Sequence, residues 1–557
     1  MMLCSRKKSI TLTNRAAMRR FLKQGNAALI LKFEGWNMKG TVTKRLVRRF
    51  RGMRYPLVLE SALVGVFAGG VAVLYRILLT AAENGLSAVT AAARQSAAGI
   101  LLWLAAVLVL AFLTAKVLQW EPMSTGSGIP QVEGEMEGAL EQTWWKVICA
   151  KLVGGFLCIF AGLSLGREGP SIQLGGMAGK GVSSRFRRNR LEERFLITCG
   201  ASAGLSAAFN APLAGVMFAL EEIHKNFSPL VLMSAMAASV IADFLSETVF
   251  GRHSIFAFAD ASNVMPLRYY GYLAVLGLLL GVCGVVYNKC LLLSQDAYQK
   301  LERFPLLRGK KLAIPFLAAG ALAFVLPEVL GGGHNMIAIL ESGTFSLKLV
   351  FLLLLGKFLF SMLSFGSGAP GGIFFPLLVI GAYIGGAFGL SCVSLFGVPE
   401  VLVTNFIIFA MAGYFTAIVR APITGIILIC EMTGSLSHVL PLAMVSVIAY
   451  VTADVLKSKP VYESLLERIL AKAGKKPAEH REKMILEMVV EQGSSAADRK
   501  ISEITLPETC LILALKRGEE EMIPKGSTVV RARDVMVLMY DDDETVYTAL
   551  QALVRAE

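Results

Sequence analysis

Gly166-Arg167-Glu168-Gly169-Pro170 is the stretch on which the fold turns. It lies in an apolar region, after Ala150-Lys151-Leu152-Val153-Gly154-Gly155-Phe156-Leu157-Cys158-Ile159 and before Ser171-Ile172-Gln173-Leu174-Gly175-Gly176. An acid and a base at membrane depth are expensive, and such residues are usually functional. Gly169 and Pro170 suit the start of a helix, since proline in the first turn loses no intrahelical N–H bond. A helix that begins inside a membrane directs unpaired N–H groups and a positive dipole end at whatever lies before it, which makes an anion site. Glu168 can fill that site as a carboxylate and leave it when protonated or displaced. The plainer reading is a buried Arg–Glu pair joining two helices.

The 557-residue chain is 55% hydrophobic and 17% charged, the balance of an integral membrane protein with soluble ends. Runs of spanning length, ~20 residues, include Leu57–Leu79, Gly99–Leu118, Tyr272–Leu293, Leu347–Leu363 and Val439–Leu456. Others read as short or broken by Gly and Pro: Leu165–Gly181, Ala211–Ile223, Ile373–Gly389 and Ala421–Met432. Broken segments are tolerated where backbone lines a cavity, so they point to a transport site.

Residues 1–54 hold fifteen Lys/Arg against one acid, Glu34, an excess equal to the formal +14 of the whole chain. This tail reads as cytoplasmic and able to touch anionic headgroups. It carries no long apolar run and no small-residue cleavage site, and no aromatic or fold signal for nucleic acid accompanies the charge. Met38 and Met53 are alternative starts. The nine cysteines form no CxxC pair and have no histidine partner spacing, so they read as apolar core residues.

Gly126-Ser127-Gly128-Ile129-Pro130 marks a loop-to-helix junction with a hydroxyl donor, although Gly-Ser-Gly is also a common turn. Asn210-Ala211-Pro212-Leu213-Ala214-Gly215 runs into Glu221-Glu222, two acids that either end a helix at its cytoplasmic mouth or hand protons inward. The second half replays these parts. Arg420-Ala421-Pro422-Ile423-Thr424-Gly425 leads to Glu431, its proline 210 residues after Pro212. Gly371-Gly372-Ile373-Phe374-Phe375-Pro376 follows Gly166–Pro170 by 206, and Gly331-Gly332-Gly333 follows Gly126–Gly128 by 205. Three correspondences in order, at nearly one offset, describe a duplicated domain with discontinuous helices and a site at the repeat interface.

After Val439–Leu456, Lys457 and Lys459 mark a cytoplasmic edge. Tyr462 reads either as an interfacial anchor or as a phenolic donor returned to the pathway. Residues 463–495 have a charged, helical pattern. From Ile501 short β-type runs follow, Cys510–Lys516, Met522–Pro524, Thr528–Arg531 and Val535–Tyr540, with turns at Arg517-Gly518 and Lys525-Gly526.

Together, the blocks at Gly126–Pro130, Gly166–Pro170 and Gly372–Pro376 and the Asn210/Arg420 repeat resemble the CLC family of chloride channels and chloride/proton antiporters, over about residues 55–470. Residues 485–557, with Ile501–Ile504 and the stretch from Arg517 to Gly526, are similar to the C-terminal ligand-sensing subdomain of potassium-transport regulators (RCK/TrkA-C). The resemblance implies an all-α polytopic membrane domain at 55–475, an inverted repeat of about 55–250 and 265–470 with discontinuous helices. A small α+β cytoplasmic domain follows at 485–557.

It also implies roles. Ser127 and Tyr462 would offer hydroxyls to a central chloride, with backbone N–H groups of Ile373 and Phe374 and the loop at Gly126. An outer site would use N–H groups near Gly169, Phe374 and Phe375, where the Glu168 carboxylate competes with chloride as the gate. Glu222 would be the inner proton acceptor. Antiporters of the family have both acids, whereas its channels commonly lack the inner one. Serine at 127 resembles the chloride-selective members, and the intact Gly166–Pro170 block differs from the fluoride-exporting branch. The expectation is a chloride-for-proton exchanger; a passive chloride channel on the same scaffold is the alternative.

The resemblance further implies a homodimer in the cell membrane, with both termini cytoplasmic, no cofactor and no metal. It leaves room for a small ligand at the C-terminal domain. An intramembrane enzyme is a third class. None of His224, His253, His334, His438 and His480 sits in a motif that would pair it with Ser127, and there is no HExxH. Gly175–Gly181 lacks the Ser or Thr that a phosphate loop needs after its lysine.

Overall fold

The computed structural model describes residues 54–252, 255–256, 258, 264–304, 309–342, 345–475, 483–507, 509–518, 520–541 and 544–555. The basic segment 1–53, His253 and His480 lie outside the described residues. The chain divides into one unit up to Leu466 and a second from Glu467.

In the first unit two runs of eight helices follow one another. The first run is α1 Arg54–Ala93, α2 Ala97–Trp120, α3 Ile129–Glu137, α4 Trp144–Phe160, α5 Glu168–Arg185, α6 Arg190–Phe209, α7 Pro212–Phe218 and α8 Pro229–Phe250. The second is α9 Tyr270–Leu301, α10 Ala313–Val325, α11 His334–Glu341, α12 Leu347–Gly366, α13 Phe374–Phe396, α14 Val403–Val419, α15 Pro422–Thr433 and α16 Val439–Val455. Helix α17, Val461–Lys472, comes next. Among the described residues seven helices are long and apolar enough to cross a membrane.

The chemistry of the repeat explains its breaks. At the ends of α6 and α14 the chain turns left-handed at Asn210 (φ 49°) and Arg420 (φ 74°), and Pro212 and Pro422 then open new helices. Proline has no N–H to lose there and is preset for the helix. Next to these breaks, glycine lets helices approach. A Cβ at Gly175 or Gly200 would run into the other's carbonyl oxygen, so α5 and α6 pack backbone to backbone.

Two sequence expectations need correction in the first unit. The span at Ile373–Gly389 is not short: α13 runs for 23 residues, long enough to cross. Its glycines ease packing against α14 instead of breaking the helix, since a Cβ at Gly381 would meet the Ala410 carbonyl at 3.0 Å. The first span extends well past Leu79, to Ala93.

The second unit carries β1 Lys483–Val489, β2 Leu511–Arg517, β3 Glu520–Met522, β4 Val535–Asp541 and α18 Glu544–Val554. They form an antiparallel sheet in the order β1-β4-β2-β3, with a bulge between Ile512 and Ala514. Leu515, Met536, Leu538, Leu550 and Val554 are among its core residues. The helical pattern read over 463–495 is wrong beyond Lys472: Lys483–Val489 is a strand, pairing Lys483 with Asp541 through Val489 with Val535. Alternation on one half-buried strand was masked by the charges around it. Thr528–Arg531 is likewise no strand: it forms the isolated bridge of Val529 with Lys500 and backbone bonds to Asp498, Arg499 and Ile501.

Candidate functional site

Where the repeats meet, two loop-to-helix junctions face each other. Gly166 N–H donates to the Gly372 carbonyl at 2.7 Å, and Gly372 N–H returns a bond to Gly166 at 2.8 Å. This antiparallel bridge sets the start of α5 against the start of α13. Neither helix has a side-chain N-cap, and the first bonds run from Ser171 to Arg167 and from Leu377 to Ile373. The N–H groups of Gly169, Phe374 and Phe375 therefore precede the intrahelical ladder, at the positive ends of both dipoles.

Glu168 sits at this junction with 0% exposure. Its Oε2 lies over Gly166, where any Cβ would collide with it; the same spot is 3.2 Å from the Phe375 nitrogen. The carboxylate thus occupies the space in front of α13. Its nearest base is Arg167, Nε to Oε1 at 3.7 Å, and neither Glu168 oxygen makes a hydrogen bond among the described residues. A carboxylate held by dipoles and one distant base can be displaced. A tightly paired one cannot.

Ser127 comes to the same place from the first half. Gly128 at φ 94° turns the chain into α3, and Ser127 Oγ accepts from Ile129 N–H at 3.2 Å, leaving its own proton to give. A Cβ at Gly169 would be 2.9 Å from Ser127 Oγ, which places the hydroxyl against the start of α5. Gly126 frames this loop: its N–H goes to the Gly368 carbonyl at 3.4 Å, and its own carbonyl accepts from Gly371 N–H at 3.0 Å. Tyr462, in the first turn of α17, is fully buried, and its hydroxyl has no hydrogen-bond partner among the described residues. The charges of Glu222, Glu133 and Glu168 all act on it. Phe374 packs against Phe415 at 4.8 Å and Phe209 at 5.4 Å, giving the junction apolar walls.

The two acids after α7 do different work. Glu221 accepts from the N–H groups of Ile423 (3.2 Å) and Thr424 (2.8 Å), capping α15. Its counterpart Glu431 caps α7 through Leu213 (3.0 Å) and Ala214 (2.7 Å). Glu222 is buried beside it, within a π-helical segment, Ala219–His224, that continues α7. Such segments turn successive side chains to different faces and often mark functional sites. Glu133 and Lys225 form an ion pair at 3.5 Å, and both charges act on Glu222.

Sequence reasoning missed Glu133 and two lysines. Lys151 Nζ donates to the carbonyls of Ser124 (2.9 Å) and Gly126 (2.7 Å), and Lys357 Nζ to those of Val329 (3.0 Å) and Gly331 (2.7 Å). Both lysines are 0% exposed. They stand 206 residues apart, the offset of the two proline junctions, and that spacing was the signal that could have found them. Among the described residues no group of three or more His, Cys, Asp and Glu could hold a metal. The described histidines sit on aromatic rings: His334 on Phe375 at 4.3 Å, His224 on Phe195 at 5.6 Å and His438 on Phe409 at 5.5 Å.

A duplicated bundle with broken helices, helix starts meeting at a buried carboxylate, defines an ion-transport protein of the inverted-repeat class. The family model for voltage gated chloride channels matches residues 106–454, and a TrkA-C domain matches 485–549. The chain belongs to the voltage gated chloride channel family and is a multi-pass membrane protein with a TrkA-C domain. It is 38% identical over 382 residues to the H(+)/Cl(-) exchange transporter ClcA of Vibrio cholerae serotype O1, covering 66% of this chain and 80% of that one. With ClcA of Salmonella arizonae it shares 36% identity over 446 residues, 78% and 93% of the two chains. Among solved structures, a slow cyanobacterial Cl-/H+ antiporter superposes with a TM-score of 0.70 at 33% identity, over 75% of this chain and 99% of that one.

Proposed function

We propose that this protein is a secondary active transporter that exchanges chloride for protons, with Glu168 as the gate. The observation that carries the reading is the Glu168 carboxylate, buried before the start of α13 without a hydrogen bond of its own. An anion offered the same N–H groups competes with it, and protonation removes the charge that holds it there. Chloride is held by the hydroxyls of Ser127 and Tyr462 and the N–H groups of Ile373, Phe374, Phe375 and Gly169, around the loop of Gly126. Hydrogen bonds and dipole ends without a full counter-charge bind weakly enough for release, as turnover requires.

Protons enter and leave on the other side through Glu222. Its burial, and its charge acting on Tyr462 together with that of Glu168, support that role. The names of the relatives, H(+)/Cl(-) exchange transporters, support exchange over passive conduction. No cofactor is needed for such exchange, since the transported ions carry the free energy, and the protein is a transporter and not an enzyme. The basic start of the chain supports cytoplasmic termini in a cell membrane. The family likeness supports a homodimer, and the TrkA-C domain a small regulatory ligand.

The test is proton movement in proteoliposomes that hold a chloride gradient with equal pH on both sides. Exchange predicts that chloride flow drives protons uphill even with voltage clamped by an ionophore. Chloride flux without proton flux would make the protein a channel.

A further inference from the structure

Glu168 is fully buried, so a proton that reaches it from the side away from Glu222 needs its own route. Against Phe375, near the start of α13, lies a cavity of about 320 Å³ lined by Glu83, Ser87 and Thr90 of α1, by Ile159 at the end of α4, and by Gly331–Asn335. The lining of α1 lies roughly 44 Å along the helix from residue 54, at 1.5 Å per residue. By the orientation proposed above this is the outer end.

The floor of the cavity leads to the gate. Glu83 Oε1 lies over Gly331, 3.7 Å from where a Cβ would stand. Gly332 rests on the Phe375 ring in the same way at 3.4 Å, and His334 stacks on that ring at 4.3 Å. The Phe375 N–H is the group that the Glu168 carboxylate faces. Among the described residues Glu83 is the one carboxyl in the lining, and its charge acts on Glu168. The bases that face it are Arg167, before α5, and Lys357, on α12. The imidazole of His334 borders the same space. At the rim, Arg94 donates to the Ala323 carbonyl at 2.9 Å, and Glu328 follows the lining residue Pro327.

We propose that Glu83 is the outer proton-collecting group of this protein, a carboxyl that takes protons from solution through this cavity and sets how Glu168 answers to outer pH. It acts through Glu168 and so is a positioning residue, and the proposal rests on the reading of Glu168 as gate. The plainer role, a counter-charge for Lys357 and Arg167, predicts loss of stability or rate at every pH. It predicts no shift confined to one side.

The experiment measures coupled chloride and proton flux in vesicles with a known orientation, scored by protease access to residues 483–555, while pH is stepped on one side at a time. Glu83→Gln removes the carboxyl that collects outer protons. With that collector gone, more outer acid is needed to protonate Glu168, so the outer-pH midpoint should move toward acid by about half a pH unit or more, with the inner-pH response unmoved. Glu83→Asp should restore the native profile. Should Glu83→Gln fail to assemble, Glu83→His, titrating near 6.5 in its ordinary range, should move the outer midpoint toward neutral. An outer-pH profile that is native in these variants overturns the proposal, as does an equal shift on both sides. Glu168→Gln in the same vesicles separates the two readings: proton coupling that survives there overturns the gate itself, whereas coupling lost there with a native Glu83→Gln profile overturns only the role of Glu83.

Discussion

The two repeats match in scaffold and differ in chemistry. Gly166 pairs with Gly372, Lys151 holds its loop as Lys357 holds the other, and Glu221 and Glu431 cap each other's partner helix. Where the first half has Glu168, the second has Phe374; where it has Ser127, the second has Gly332; beside Glu221 stands Glu222, beside Glu431 stands Met432. Duplication built a cage from both copies, and the two acids assigned to protons, Glu168 and Glu222, sit with the Ser127 hydroxyl in the first, while Tyr462 follows the second. Positions shared by the copies should therefore govern stability, and unshared ones transport.

The largest break in that comparison is Glu168→Gln. A permanently neutral side chain cannot shuttle a proton, and proton flux should fall by about 10²-fold or more while chloride still moves, read as paired fluxes in proteoliposomes. Lys151→Met and Lys357→Met come next. Each strips two buried carbonyls of their donor, at about 1–3 kcal/mol per group, so thermal unfolding in detergent should show nearly equal losses. A loss in only one would end the equivalence of the two loops. Glu221→Gln and Glu431→Gln should each cost about 1 kcal/mol, as a lost helix cap does, and both should keep proton coupling.

The smallest effect lies outside the repeats. Burial pushes the Asp534 carboxyl up, but the Arg517 guanidinium at 2.8 and 2.6 Å and the Arg531 N–H outweigh it and hold the group below the usual carboxylate range. A carboxyl lowered on folding adds stability that is present above its unfolded pKa, ~3.9, and lost as pH falls through the lower folded one. Asp534→Asn should flatten that acid limb of unfolding for residues 483–555 and leave the membrane unit's unchanged.

Much of this was legible in the sequence because proline, glycine and charge are rare where they matter in a membrane. Gly166–Pro170 and its echo at Gly371–Pro376 marked both helix starts, and three offsets near 206 gave the duplication. What escaped depended on contacts far apart in the chain. Glu221 and Glu222 look alike side by side, and only the reach of Glu221 to Thr424, 203 residues away, tells the cap from the buried acid. Lys151 reads as a stray charge in an apolar run until two carbonyls converge on it. In the second unit, Lys483–Val489 carries strand alternation, but its pairing with Val535–Asp541 was invisible locally.

The most direct test of the central claim is the pair of chloride and proton fluxes in Glu222→Gln, measured together under a chloride gradient at equal starting pH. An acid added to one repeat for proton work alone predicts that chloride keeps flowing and proton movement stops. Parallel loss of both fluxes would contradict it and make Glu222 part of the shared scaffold.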